Sequence, residues 1–98
     1  MVEINWTREA QVWLRDIHSY IAIDNPDAAQ RTIAGIFARV QLLKTHPRLG
    51  HRYEAQTSRE IRILLYGHYR IAYLIRSEQS IDILGVFHGS LSIERYLL

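Results

Sequence analysis

The first part of the chain contains an alternating segment followed by a stretch of helical periodicity. Val2, Ile4 and Trp6 alternate with polar residues, which is the pattern of a half-buried strand. From Thr7 onward, apolar residues recur every three or four positions, namely Ala10, Trp13, Leu14, Ile17, Tyr20 and Ile21. Thr7 is also a residue type that caps helix N-termini. The pattern therefore predicts a short strand and then an amphipathic helix.

A second helix is predicted directly after the first. Asn25, Pro26 and Asp27 supply a capping side chain, a preset helical φ and an acidic group for the positive helix end. The apolar positions that follow have helical spacing; they are Ala29, Ile33, Ile36, Phe37, Val40 and Leu43. Pro47 ends the helix. Because the connection between the two helices is very short, they are expected to form an approximately antiparallel hairpin.

Three β-rich runs, at residues 59–66, 69–76 and 81–88, follow a polar loop over residues 47–58. The connections between these runs are short, which predicts an antiparallel meander. The resulting order is β-α-α-β-β-β. It indicates an α+β fold with the helical hairpin on one face of a small, mainly antiparallel sheet. A short C-terminal helix over residues 90–98 is a further expectation.

Residue parity predicts the register of the first two of these runs. Ile61, Ile63 and Leu65 occupy odd-numbered positions. The apolar residues of the next run are odd-numbered as well, namely Tyr69, Ile71, Tyr73 and Ile75. If both sets face one side of the sheet, Leu65 must pair with Tyr69 through a three-residue turn or a bulge. A two-residue turn would instead pair Leu65 with Arg70.

With that register, Arg62, Arg70 and Arg76 are expected to share the other face of the sheet, near His68 and His88. Several fixed positive charges on one surface can bind phosphates. The same arginines could equally lie on a solvated face or pair with acidic groups of another protein. His88 ends the last predicted strand, where it could serve as an acid or base or remain a solvated strand-end residue.

Composition narrows the functional classes. The length of 98 residues predicts a single domain over residues 1–98, and 48% apolar with 22% charged residues is typical of a globular protein. A net charge of +2 favours acidic partners only weakly. The chain has no cysteine, which excludes disulfides, thiolate nucleophiles and cysteine-bound zinc. No apolar stretch is long enough for a signal peptide or a membrane span, so a soluble, cytoplasmic protein is expected.

Motifs for independent catalysis are missing from the sequence. It contains no phosphate-binding glycine loop, zinc-protease motif or nucleophile elbow. The five histidines are scattered, without the helical or cross-strand spacing of metal ligands. We therefore expect no metal and no small-molecule cofactor. Phosphodiester cleavage that uses the 2′-hydroxyl of RNA would still be chemically open to Arg, His and Tyr side chains.

The chain resembles the RelE/ParE toxin superfamily over nearly its whole length. Two segments carry most of the similarity: Tyr69-Arg70-Ile71-Ala72-Tyr73 and Ile81-Asp82-Ile83-Leu84-Gly85-Val86-Phe87-His88-Gly89. Shorter similar pieces are Asn25-Pro26, His46-Pro47-Arg48-Leu49-Gly50 and Ile61-Arg62. The resemblance implies a small cytoplasmic toxin of a type II toxin–antitoxin system, of the kind also called plasmid stabilisation proteins. It also implies growth inhibition that is neutralised by a cognate antitoxin, which wraps the toxin with a helix and an extended segment.

The superfamily divides by target. RelE-like members cut messenger RNA on the ribosome, and ParE-like members act on DNA gyrase. If the chain cuts RNA, the resemblance implies Arg62, Arg70, His88 and Tyr96 as catalytic residues. However, Glu60 occupies a position where the RNA-cutting toxins carry a basic residue, and the His-Gly ending is more similar to the ParE branch. We therefore expect ParE-like action on gyrase, with RelE-like ribosome-dependent cleavage and a non-catalytic protein-binding module as the alternatives.

Overall fold

The elements of the fold are described by a computed structural model for residues 1–55 and 58–89. They are β1 (Glu3–Trp6), α1 (Arg8–Ala22), α2 (Pro26–Gln41), a 3₁₀ turn (Leu42–Lys44), β2 (His51–Arg52), β3 (Ile61–Tyr66), β4 (Tyr69–Ser77) and β5 (Ser80–His88). This is the predicted α+β order with one additional strand, β2, inside the predicted loop. The helix predicted for residues 90–98 lies outside the described residues.

Both helices begin where the sequence predicts. The Thr7 side chain accepts a hydrogen bond from the Ala10 backbone N–H at 3.1 Å, and the Asn25 side chain accepts one from Ala28 N–H at 3.0 Å. Each bond satisfies a backbone donor that the first helical turn would otherwise leave unpaired. Pro26 occupies the first turn of α2, where its missing N–H costs nothing. Local sequence therefore determines both helix starts.

The sheet has the strand order β1-β5-β4-β3-β2. β1 pairs in parallel with β5, and the remaining neighbours are antiparallel, so the predicted meander of β3, β4 and β5 is confirmed. β2 adds only two pairs, His51 with Ile63 and Arg52 with Arg62. A strand this short has no detectable alternation of polar and apolar residues, which explains why the sequence pattern missed it.

The two helices cover one face of the sheet. Their buried residues are Ala10 and Leu14 from α1 and Ala29, Ile36 and Val40 from α2. On the sheet side, this core includes Leu64, Ile71, Tyr73, Ile81, Ile83 and Val86. Tyr20, which was predicted to belong to the buried stripe of α1, is 79% exposed. At 100° per residue, Tyr20 lies roughly 75° from the mean direction of the other residues of that stripe, at its edge.

The opposite face of the sheet also carries buried apolar residues. Ile61, Ile63, Ala72 and Phe87 form a second cluster there. Trp13 of α1 reaches this cluster, with its ring centroid 4.8 Å from that of Phe87. Both faces of β3 and β4 therefore bury apolar side chains, and alternation along these strands does not distinguish an inner face from an outer one.

The predicted register of β3 and β4 is wrong because of this two-sided burial. Leu65 pairs with Arg70 and Tyr66 with Tyr69, across a two-residue turn in which Gly67 has a φ of 56°. A positive φ at the first of two turn residues fits a type II′ hairpin turn, for which glycine is preferred. Leu65 is consequently 53% exposed. A register change of one residue moves every side chain of a strand to the other face.

In the part of the chain that the structure describes, neither helix is long and apolar enough to cross a membrane.

Candidate functional site

The predicted arginine face does not exist as one surface. Arg62 lies directly opposite Tyr73, and Arg70 lies directly opposite Leu65. Directly opposed residues of antiparallel strands share a face, while successive residues alternate between faces. Arg62 therefore lies on the face that the helices cover, with Tyr73, whereas Arg70 lies on the other face. The expectation that Arg62 and Arg70 share one face of the sheet is wrong, and the physical reason is the two-residue turn.

The guanidinium group of Arg62 is held in place by its neighbours. Its Nε donates to Glu60 Oε2 at 2.8 Å, and its Nη1 donates to the Gly50 carbonyl at 2.7 Å. Arg48 donates to the same carboxylate from Nε and Nη2, at 3.0 and 3.2 Å. We call Arg48, Glu60 and Arg62 the Glu60 cluster. The hydrogen bonds from Arg62 and then Arg48 lower the pKa of Glu60 below its usual value of 4.5.

A buried tyrosine secures the loop beside this cluster. The Tyr73 hydroxyl donates to the Pro47 carbonyl at 2.8 Å and accepts a hydrogen bond from Gly50 N–H at 2.9 Å. Burial raises the pKa of Tyr73 above 10.0, so the hydroxyl keeps the proton that it donates. The Glu60 cluster and Tyr73 therefore connect the loop after α2 to the sheet, which is a structural task.

At the other end of β3 and β4, beside the turn at Gly67 and His68, the polar side chains line an open surface. The rings of His68 and His88 are nearly parallel, with centroids 6.4 Å apart, and Arg70 Nη2 donates to the Gly89 carbonyl at 3.3 Å. These groups line one open surface together with Leu65. We call His68, Arg70 and His88 the basic end. No described residue that lines this surface is acidic. The histidines, which appear scattered along the sequence, include one close pair.

An apolar groove lies next to the basic end, between α1 and the ends of β4 and β5. It has a volume of about 400 Å³ and is lined by Trp13, Asp16, Ile17, Tyr20, Ile21, Tyr69, Val86 and His88. We call it the α1 groove. Burial raises the pKa of Tyr69 above 10.0. His88 lines both the α1 groove and the surface of the basic end, so the two are continuous. Sequence analysis missed this groove, although the departure of Tyr20 from the centre of its helical stripe is a signal for it.

The remaining predicted site residues are placed as follows. Arg76 belongs to neither site, because its Nη1 donates to Asp82 Oδ2 at 2.9 Å near the far end of β4. Tyr96 lies outside the described residues. Of the four residues implied for RNA cleavage, Arg70 and His88 both line the open surface at the turn end of the hairpin. They extend from opposite faces of the sheet, because His88 pairs with Tyr69 and Arg70 with Phe87. Arg62 lies elsewhere. Among residues 1–55 and 58–89, no three His, Cys, Asp or Glu side chains come together as metal ligands.

The site offers two kinds of binding chemistry side by side. The α1 groove can bury apolar side chains, and the basic end can hold a carboxylate or a phosphate through charge-assisted hydrogen bonds. Tyr69 packs edge-on against His88, with ring centroids 5.8 Å apart, and this contact orients the imidazole at the junction of the two surfaces. The arrangement is that of a surface with an apolar part and a polar part that carries one guanidinium group and two imidazole rings.

Comparison with known proteins places the chain in a family. The model of the ParE toxin of the type II toxin–antitoxin system, parDE, matches residues 4–92. A protein of Sinorhizobium fredii, "Putative toxin Y4kP", is 36% identical over 86 residues, which cover 88% of this chain and 86% of that protein. The solved structure "Chromosomal ParDE TA system from P. aeruginosa" shares the fold, with a TM-score of 0.74 and 21% identity over 90% of this chain and 96% of that chain. The resemblance to the RelE/ParE superfamily is thereby confirmed, and the chain belongs to the ParE toxins of type II toxin–antitoxin systems.

Proposed function

We propose that this protein, as one toxin domain of 98 residues, arrests growth by acting on DNA gyrase in the cytoplasm and is neutralised by a cognate antitoxin. One observation carries the choice of gyrase over messenger RNA. The arginines that RNA cleavage would require lie on opposite faces of the sheet. Inhibition of gyrase by association needs no such convergence, because it depends on a binding surface.

RNA cleavage requires that one phosphate be oriented and that protons be moved at the same place. Arg62 cannot share a phosphate with Arg70, because its guanidinium donates to Glu60 and to the Gly50 carbonyl on the helix-covered face. Glu60 adds negative charge where a phosphate would need positive charge. These features favour a protein target over an RNA target.

Purified protein in a gyrase supercoiling assay tests the proposal directly. We expect loss of supercoiling and accumulation of cleaved DNA at protein concentrations stoichiometric with gyrase. Heat-unfolded protein serves as the control. In cells, induction without the antitoxin should produce DNA breaks while messenger RNA ends remain unchanged, and coexpression of the neighbouring antitoxin gene should restore growth.

Two other outcomes would replace the proposal. New codon-phased messenger RNA ends that depend on Arg70 and His88, as tested by alanine substitutions, would establish the ribosome-dependent nuclease. Undisturbed growth together with normal supercoiling would favour the remaining alternative, which is a protein-binding module without toxic action.

A further inference from the structure

One face of the sheet is buried although both helices pack on the other face. Directly opposed residues of neighbouring strands share a face, and this rule groups eight residues of β3, β4 and β5 on the side away from the helices. We call them the outer face; they are Ile61, Ile63, Leu65, Arg70, Ala72, Leu74, Gly85 and Phe87. Ile61 and Ala72 are 0% exposed, and Phe87 is 1% exposed. A sheet surface that excludes water to this extent needs a covering layer.

The described residues supply apolar cover at the two margins of the outer face. Trp13 of α1 reaches Phe87 at the β5 side, with the ring centroids 4.8 Å apart. At the β3 side, the Tyr53 backbone N–H donates to the Ile61 carbonyl at 2.8 Å. Among the described apolar residues that pack against the second cluster, Trp13 and Tyr53 are the two that lie outside strands β3 to β5. Ala72, on the middle strand, lies between these margins, and the two side chains do not account for the cover above it.

The backbone at the end of β5 is directed toward the outer face. Gly89 N–H donates to the His68 carbonyl at 2.7 Å, which holds the end of the strand beside the turn. The Gly89 carbonyl accepts a hydrogen bond from Arg70 Nη2 at 3.3 Å. Because Arg70 is a residue of the outer face, this bond draws the last described peptide group to that side of the sheet.

The segment that follows Gly89 has the composition and length that such a layer requires. Residues 90–98 lie outside the described residues, and their large apolar members are Leu91, Ile93, Tyr96, Leu97 and Leu98. Strands β5 and β3 are two strand spacings apart, roughly 10 Å. Nine residues span roughly 13 Å as a helix and up to about 30 Å when extended. Residues four positions apart share a side in both conformations, so Ile93 and Leu97 can face the sheet together in either one.

We propose that residues 90–98 pack along the outer face, with Ile93 and Leu97 toward the sheet, and form the layer that keeps the second cluster from water. Arg70 directs the backbone into this position through the Gly89 carbonyl, and the packing requires no further partner for its guanidinium group. The inference goes beyond the proposed function, because it holds whether the target is gyrase or messenger RNA. It also removes the centre of the outer face from the surfaces that are open to another protein.

NMR spectroscopy of the full chain with labelled methyl groups tests this packing directly. We expect nuclear Overhauser contacts from the methyl groups of Ile93 and Leu97 to those of Ile61, Ile63 or Leu74. A mixture of labelled and unlabelled protein separates contacts within one molecule from contacts between two molecules. The proposal requires contacts within one molecule.

A matched pair of serine substitutions measures the same packing through stability. Ile93→Ser should raise the equilibrium constant for unfolding at least about ten-fold, because it replaces a buried aliphatic side chain by a polar one. Ile23→Ser makes the same change at a residue that is 80% exposed and should leave the constant unchanged. The double variant Ile93→Ser/Leu97→Ser should in addition bind the dye ANS, which fluoresces on exposed apolar surface.

Four results would overturn the inference. Methyl contacts from Ile93 and Leu97 to Ile17 or Ile21 would assign the segment to the α1 groove, and contacts only between molecules would assign it to a second copy. Absence of any long-range contact from residues 90–98 would show that they do not form the layer. Equal stability of Ile93→Ser and Ile23→Ser would show that Ile93 is not buried. The NMR measurement uses the unsubstituted protein, so it decides the question even if the double variant does not fold.

Discussion

The two ends of the β3–β4 hairpin each carry an arginine, but the groups that surround the two side chains differ. In the Glu60 cluster, the Arg62 side chain is 18% exposed and is bonded to a carboxylate and a backbone carbonyl. At the basic end, Arg70 shares an open surface with two histidines and no described acidic residue. The residue type is the same, and the groups around the two guanidinium groups differ: Arg62 bonds to a carboxylate, and Arg70 donates to the Gly89 carbonyl.

This difference shows why arginine positions alone do not define a binding site. A guanidinium group can satisfy carboxylates and carbonyls with five donors in a fixed plane, which makes it a structural connector as readily as a ligand for anions. Arg62 connects strand β3 to the loop after α2. Experiments that disturb the Glu60 cluster should therefore change stability first, and experiments at the basic end should change binding first.

The largest expected effect on stability is that of Gly50→Ala. A Cβ at this position would lie 2.7 Å from the Ile63 carbonyl oxygen and 2.9 Å from the Tyr73 ring, so the loop would have to move away from the sheet. We expect a loss of about 2–3 kcal/mol in the free energy of unfolding, measured in urea. Gly89→Ala, at the basic end, is the matched variant. Its Cβ would lie 3.2 Å from a carbonyl oxygen, and a loss as large as that of Gly50→Ala would contradict the comparison.

Tyr73→Phe should have the next largest effect. It removes the hydroxyl that bonds to Pro47 and Gly50 and leaves a buried N–H without its acceptor. The expected loss is about 1–2 kcal/mol. Tyr69→Phe deletes the same atom near the basic end and should cost less, because the Tyr69 side chain is only partly buried. If Tyr73→Phe and Tyr69→Phe lowered the free energy of unfolding equally, in both thermal and urea unfolding, the Tyr73 hydroxyl would not secure the loop.

Arg62→Gln and Arg70→Gln compare the two arginines directly. Arg62→Gln removes an ion pair whose partners are 18% and 21% exposed, and we expect it to lower the unfolding free energy by about 1 kcal/mol. Arg70→Gln removes the hydrogen bond from Nη2 to the Gly89 carbonyl, which is long at 3.3 Å, so it should lower the unfolding free energy by less than Arg62→Gln does while reducing toxicity in cells. A toxic, fully stable Arg62→Gln variant together with an unfolded Arg70→Gln variant would reverse the assignment.

The smallest expected effect is a pH dependence that belongs to the Glu60 cluster. The pKa of Glu60 is lowered in the folded state, first by the hydrogen bond from Arg62 and then by that from Arg48. A lowered folded pKa stabilises the protein at pH values above the unfolded value near 4.5, and this contribution is lost as the pH falls through the folded pKa. Between pH 7 and pH 3, the free energy of unfolding should therefore depend less on pH for Glu60→Gln than for the wild-type protein. Asp16→Asn, on the border of the α1 groove, is the control.

Secondary structure was predicted well where the signal is local. The capping side chains of Thr7 and Asn25 act within three residues of themselves, so both helix starts follow from short sequence segments. The β-rich runs are also correct to within a few residues. Prediction failed for the two-residue strand β2, because it exists only through its pairing with β3.

The candidate site was predicted in part. His88 at the end of the last strand and Arg70 in the middle strand were both identified from the sequence. Their association with His68, and the separation of Arg62 from them, depend on the turn at Gly67. Parity could not choose between a two-residue and a three-residue turn, because apolar residues are buried on both faces of the sheet.

The sequence by itself determined the α+β order, both helix caps and the similarity to the RelE/ParE toxins, since each depends on residues that are close along the chain. Tertiary structure alone decided which arginine faces which side, how the Glu60 cluster holds the loop after α2, and where the α1 groove meets the surface of the basic end. The physical reason is that a strand has two nearly equivalent faces. Only its pairing with neighbouring strands and the packing of the helices distinguish them.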